Sequence, residues 1–136
     1  MTRLLPALTL ALAAACTPAL ATGIGGEWHL VGLDGSRAPA AVTIVFTTDG
    51  KVSGKAPCNR YFGGYSGELP QIALSQIGAT RMACDRLEAE DAYFRALQAV
   101  THAEVADEHL FLIGPEGRVL EFARDPEDGT CITCGD

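Results

Sequence analysis

Along most of the chain, apolar and polar residues alternate in short runs set apart by Gly, Pro, Asn and Asp, the pattern of half-buried strands. After the glycine-rich stretch Thr22-Gly23-Ile24-Gly25-Gly26, Trp28 and Leu30 alternate with His29 and Val31, which predicts a first strand with Trp28 facing inward. Gly32 to Pro39 reads as loop, and Val42 to Phe46 as a second strand. Thr48-Asp49-Gly50 supplies turn chemistry before Lys51-Val52-Ser53-Gly54, because Asp and Gly tolerate the positive φ of a tight hairpin. Tyr61 to Tyr65 and Ile72 to Leu74 read as further strands, separated by Ser66-Gly67-Glu68-Leu69-Pro70.

The period then changes to that of a helix, predicted over residues 86 to 100. Asp85 is the expected cap and Glu88 completes a D-x-x-E box, with Glu88, Glu90 and Asp91 at the positive end. Leu87, Tyr93, Phe94, Ala96, Leu97 and Val100 form one apolar stripe that should lie against a sheet. Glu104 to Ala106, Leu110 to Ile113 and Arg118 to Phe122 follow as a meander, its second turn at Gly114-Pro115-Glu116-Gly117. The expected fold class is α+β: a compact, antiparallel, β-rich domain whose barrel-like sheet carries one packed helix.

Length and charge narrow the functions open to such a domain. The chain has 136 residues with 17 acidic and 10 basic side chains, a formal charge of −7, which argues against a nonspecific nucleic-acid binder. A two-domain enzyme does not fit this length. Residues 1–21 begin with Arg3 and the apolar run Leu4 to Ala15, which suits an export signal and is short for a membrane span. Ala19-Leu20-Ala21 offers ordinary cleavage, whereas Ala14-Ala15-Cys16 resembles a lipobox, with Ala13 where Leu is usual, and would leave Cys16 lipidated. The expected organisation is therefore a signal over 1–21, or a lipoprotein signal ending at residue 15, a domain over 22–124 and an acidic tail over 125–136. The protein is expected in the periplasm or as an outer-membrane lipoprotein, touching the membrane only through an acyl chain.

An oxidising compartment makes disulfides the first expectation for Cys58, Cys84, Cys131 and Cys134. Of three connectivities, Cys58 with Cys84 is favoured; it closes a loop of about 25 residues and is worth ~3 kcal/mol in the chain-entropy model. An activated Cys84 thiol at the helix start is the alternative, opposed by Asp85 and Glu88. Cys131-x-x-Cys134 has the spacing of a second disulfide, local or intermolecular, or of half a soft-metal site, or is an incidental feature of the tail. His29, His102 and His109 are dispersed and expected at the surface, no serine sits in a G-x-S-x-G elbow, and no glycine-rich phosphate loop occurs. Carboxylates lie mostly in the helix cap, turns and tail, so neither a cofactor nor a catalytic set is expected.

Two blocks carry a family resemblance. Gly54-Lys55-Ala56-Pro57-Cys58-Asn59-Arg60-Tyr61-Phe62-Gly63-Gly64-Tyr65 resembles the G-x-x-G-C-N-x-x-x-G-x-Y signature of the META domain, the family of HslJ-like heat-shock lipoproteins. Thr80-Arg81-Met82-Ala83-Cys84 is similar to its T-x-M-x-C segment, followed at the family's spacing by Glu90, Phe94 and Leu97. Trp28-x-Leu30 and the hairpin from Phe46 to Gly54 also fit, so the likeness spans about residues 26 to 123; Pro57 replaces the usual Gly and the Cys131/Cys134 tail is additional. The resemblance implies a bacterial envelope protein, often a stress-linked lipoprotein, and supplies no catalytic role for Cys58, Asn59, Arg60, Gly63, Tyr65, Thr80, Met82 or Cys84. Their expected roles are structural: turns at Asn59 and the glycines, a cross-link, and packing by Tyr65 and Met82.

The leading expectation is a non-catalytic protein that binds another envelope component through its sheet or the Asn59–Tyr65 loop. Two rivals are a thiol- or metal-handling protein using Cys131 and Cys134, and a carrier holding a small apolar ligand between sheet and helix near Tyr93 and Leu97.

Overall fold

The computed structural model describes residues 23–38 and 41–135; the expected export segment, with Cys16, lies outside the described residues. The alternating runs form nine strands: β1 Gly26–Leu33, β2 Ser36–Arg37, β3 Thr43–Phe46, β4 Lys51–Lys55, β5 Arg60–Ser66, β6 Ala73–Ala79, β7 His102–Ala106, β8 His109–Ile113 and β9 Val119–Ala123. One helix, α1 Leu87–Gln98, is inserted between β6 and β7. Every pairing is antiparallel, in the order β6-β5-β4-β3-β1-β9-β8-β7, with β2 folded back on β1.

The sheet does not close, yet it curls far enough for its two ends to touch. Gln71, just before β6, bridges to His102 of β7, flanked by Ile72 N–H to Thr101 O at 3.1 Å and Ala103 N–H to Pro70 O at 2.8 Å. Helix α1 packs on β6 and β9 beside this junction. The inward positions of successive strands, among them Trp28, Ile44, Phe46, Tyr61, Leu110 and Phe122, meet Tyr93 and Leu97 of the helix in one core. Buried Trp28 donates its indole N–H to Ile24 O at 2.8 Å and carries the Arg124 guanidinium 3.6 Å above its ring.

The hairpin between β3 and β4 forms where turn residues predict it; Gly50 takes the positive φ, +81°, and Asp49 does not. Gly32 to Pro39 is not simply loop: β1 runs on to Leu33, and Asp34 and Gly35, both at positive φ, turn it back into β2. The helix also starts differently from expectation. Its N-cap is Arg86 with no side-chain cap, so the Asp85/Glu88 box does not form. The chain entering α1 is held instead by the Cys58–Cys84 disulfide and by Cys84 Sγ, which accepts the Arg86 N–H at 3.2 Å. That entry angle turns Leu87 outward, 42% exposed, rather than into the apolar stripe.

Candidate functional site

The signature cysteine and asparagine sit in the short loop between β4 and β5, closed by Ala56 N–H to Asn59 O at 2.8 Å. Glu90, one turn into α1, aims its carboxylate at this loop. Its Oε1 accepts the backbone N–H groups of Cys58 at 3.0 Å and Asn59 at 2.7 Å, and its Oε2 accepts the Asn59 amide at 2.7 Å. The Asn59 amide also donates to Met82 O at 3.3 Å, while its Oδ1 accepts Met82 N–H at 2.7 Å and the Thr80 hydroxyl at 3.0 Å. Asn59 and Glu90 are both buried. Both amide protons and the carbonyl of Asn59 are thereby engaged, and the nearby Cys58–Cys84 disulfide ties the same two chain segments.

Asn59 takes its expected place in the turn, closed by its own carbonyl, and its side chain adds a buried hub that joins the β4–β5 loop, residues 80–82 and the helix. A turn role fails at another signature residue, Gly63. It lies within β5 at a register shift against β6, where a Cβ would stand 2.7 Å from the Ile77 side chain and 2.8 Å from Ser75 O. Tyr65 packs as expected, edge-on to Phe46 at 5.1 Å between centroids. Arg60 is exposed, its backbone paired with Thr80. Met82 does not pack; it is 66% exposed.

Met82 stands instead on a groove of about 550 Å³ between β6, the 80–83 segment and α1, whose apolar lining is Ile77, Met82, Leu87 and Phe94. Arg81 and Asp91 add charge to this lining. Phe62, 60% exposed, lies over Gly78 on the adjacent strand. The space near Tyr93 and Leu97 is filled: both side chains are buried, and the Tyr61 and Tyr93 hydroxyls share a hydrogen bond at 2.7 Å. Burial pushes both phenols above their ordinary range.

A second polar cluster occupies the outer face of β8 and β9. His109, expected at the surface, is 3% exposed; its Nδ1 lies 2.8 Å from Glu121 Oε1 and its Nε2 3.2 Å from Asp128 Oδ2. Glu121 is fully buried because residues after Arg124 fold back over it. Its carboxylate accepts N–H groups of Ile132 at 2.7 Å and Thr133 at 2.8 Å, and the Thr133 hydroxyl at 2.6 Å. Burial opposes its charge, but the Thr133 hydroxyl, the two amides and His109 outweigh that cost and hold the carboxyl below its ordinary range. Cys131 and Cys134 form a disulfide with Cα atoms 5.4 Å apart. It rests on β1 where Gly32 leaves room; a Cβ there would collide with Cys131 Sγ and stand 3.0 Å from Cys134 Sγ. Arg37 to Gly129 O at 2.8 Å and Gly135 N–H to Gly35 O at 3.1 Å complete the docking.

Sequence reasoning placed Glu90 at the positive end of the helix and His109 at the surface, and singled out no role for Glu121. Glu90 carried a signal, its place in the family spacing. Glu121 carried none, since an acidic residue between Leu120 and Phe122 alternates outward as a solvated side chain does. Among the described residues, every buried side-chain nitrogen and oxygen has a hydrogen-bond partner, and no group of three or more His, Cys, Asp or Glu is arranged to hold a metal.

Comparison with known proteins agrees with this geometry. A family model described as the META domain matches residues 19–127. Among solved structures, a protein from Burkholderia xenovorans determined by NMR is 26% identical with a TM-score of 0.65, covering 90% of this chain and 99% of its own. A DUF4847 family protein from Bacteroides vulgatus, 13% identical with a TM-score of 0.63, covers 79% of this chain and 98% of its own and shows the fold alone. No curated protein matches the chain.

Proposed function

Because the chain belongs to the META domain family, we propose that it is a non-catalytic binding domain of the bacterial envelope, which takes an apolar segment of another envelope protein into the groove between β6 and α1. One observation carries this reading. The polar signature residues Asn59 and Thr80, with Glu90, direct their hydrogen bonds to one another and to nearby backbone, whereas Met82 and Leu87 from the same region project apolar surface into the groove. A site built for acid–base or nucleophilic chemistry would keep one such group free to meet a substrate. Export is part of the proposal and is supported by Arg3 and the apolar run that follows it, with Cys16 as the candidate acyl anchor.

The test is a photo-crosslinking residue placed at Met82 in cells producing the full chain, with the same residue at exposed Val105 on β7, outside the groove lining, as control. The expected result is a discrete adduct from position 82 alone that disappears when Leu87→Asp is added. Equal labelling at both positions would remove the groove from consideration. Turnover of any substrate by purified protein, abolished by one polar substitution, would overturn the non-catalytic reading.

A further inference from the structure

The Cys131–Cys134 disulfide sits in a setting the groove does not use. We propose that it is a thiol-exchange site for a small dithiol or a dithiol-bearing protein, and that its reduction releases the 131–135 loop from the sheet and uncovers Glu121.

Three features support this. The bond spans three residues of sequence, so it constrains its own loop and joins no two elements of the sheet, whereas Cys58–Cys84 spans 26 and fastens the β4–β5 loop to the segment entering α1. Losing the first leaves the core intact. The loop lies at the surface, with Ile132 and Thr133 exposed and both cysteines only half-buried, so an incoming thiolate has access. Docking and bonding are also coupled. The joined sulfurs fit over Gly32, where two separate thiols need more room, and Cys131 Sγ lies 3.5 Å from Glu121 Oε2. Reduction to two separate thiols loses that fit over Gly32, which disfavours the reduced, docked state. By linkage, docking then favours the disulfide and reduction favours release.

The exchange balances with two thiols. The first, as thiolate, attacks one sulfur, breaks the Cys131–Cys134 bond and forms a mixed disulfide. The second attacks that mixed disulfide and leaves as the oxidised partner, and the two electrons and two protons pass to Cys131 and Cys134 as thiols. The proposal is independent of the groove and needs only a compartment where such thiol partners occur.

The experiment uses the full chain with dithiothreitol as the probe, alkylation mapping to identify reduced cysteines, and amide exchange at Ile132 and Thr133. Cys131 and Cys134 are expected to be alkylated while Cys58 and Cys84 remain bonded, with the two amides exchanging roughly tenfold faster or more. The Cys131→Ser/Cys134→Ser variant, with Cys58 and Cys84 left intact, should show the same fast exchange without reductant. Simultaneous reduction of both disulfides, or full protection of Ile132 and Thr133 in the reduced protein or the double variant, would overturn the proposal.

Discussion

Two loops of this protein use the same device, a disulfide beside a buried carboxylate that accepts the loop's own amides, and they differ in what else holds them. Around Glu90, the donors belong to the β4–β5 loop, which the core fixes on both sides. Around Glu121, two of the donors are amides of a loop near the chain terminus that only docks. If the carboxylate is lost, the buried Asn59 donors stay where the core and the Cys58–Cys84 disulfide hold their loop, whereas Ile132 and Thr133, on an exposed loop, can swing out and be solvated. Equivalent hydrogen bonds therefore contribute unequally, according to whether the donor has another way to be satisfied.

The largest test of this difference is Glu90→Ala against Glu121→Ala. Glu90→Ala should cost about 3–5 kcal/mol in chemical denaturation, because it removes the charged acceptor of three hydrogen bonds and loosens the Asn59 hub. Glu121→Ala should cost less, about 1–3 kcal/mol, since His109 on β8 loses its partner while the tail amides reach water, with fast amide exchange confined to the 131–135 loop. Equal losses would mean that the tail is as integral to the fold as the β4–β5 loop.

A smaller effect should follow from pH. Glu121 is held below its ordinary value of 4.5, so its contribution is present above that value and is lost as the pH falls through the lower folded-state value. Ile132 and Thr133 should lose protection on acidification. Glu121→Gln should remove the pH dependence of the tail. Protection that persists down to global unfolding would show that the Glu121 charge does not hold the tail.

The smallest and most local effect is expected from Gly32→Ala. A methyl group there meets the Cys131–Cys134 sulfurs, so the tail should lift with little change in the melting of the domain. Gly63 sharpens the comparison, since the space its Cβ would enter is filled by β6 backbone and Ile77, within the fold rather than beneath a docked loop. A melting temperature that falls strongly for Gly32→Ala would show the tail contributing to the core.

Much of the architecture was legible in local pattern. Period-two alternation marked the strands, turn residues marked the β3–β4 hairpin, and the helical stripe of Tyr93, Ala96 and Leu97 identified the face that packs. The Cys58–Cys84 pairing was the favoured connectivity, and the structure has it. The β7–β8 turn was less readable, because Asp107 and Glu108 both take positive φ where Asn-Gly would be the usual signal. The cap at Asp85 failed because a cross-link and the Asn59 contacts, rather than local preference, set how the chain enters α1. Met82 looked like a packing residue by composition, and its backbone is indeed held by Asn59 while its side chain points away from that hub.

The strands, the helix face and the family thus follow from the chain's own pattern, since spacing and turn chemistry act over a few residues and leave a periodic trace. The environments of Glu90, Glu121 and His109 arise from contacts between segments separated by 10 to 32 residues. Burial of a carboxylate depends on what folds over it, and β9 becomes buried on both faces only when the tail returns across the sheet. No local period records that return; it is set by the geometry of β1, where Gly32 leaves a space that the Cys131–Cys134 disulfide occupies.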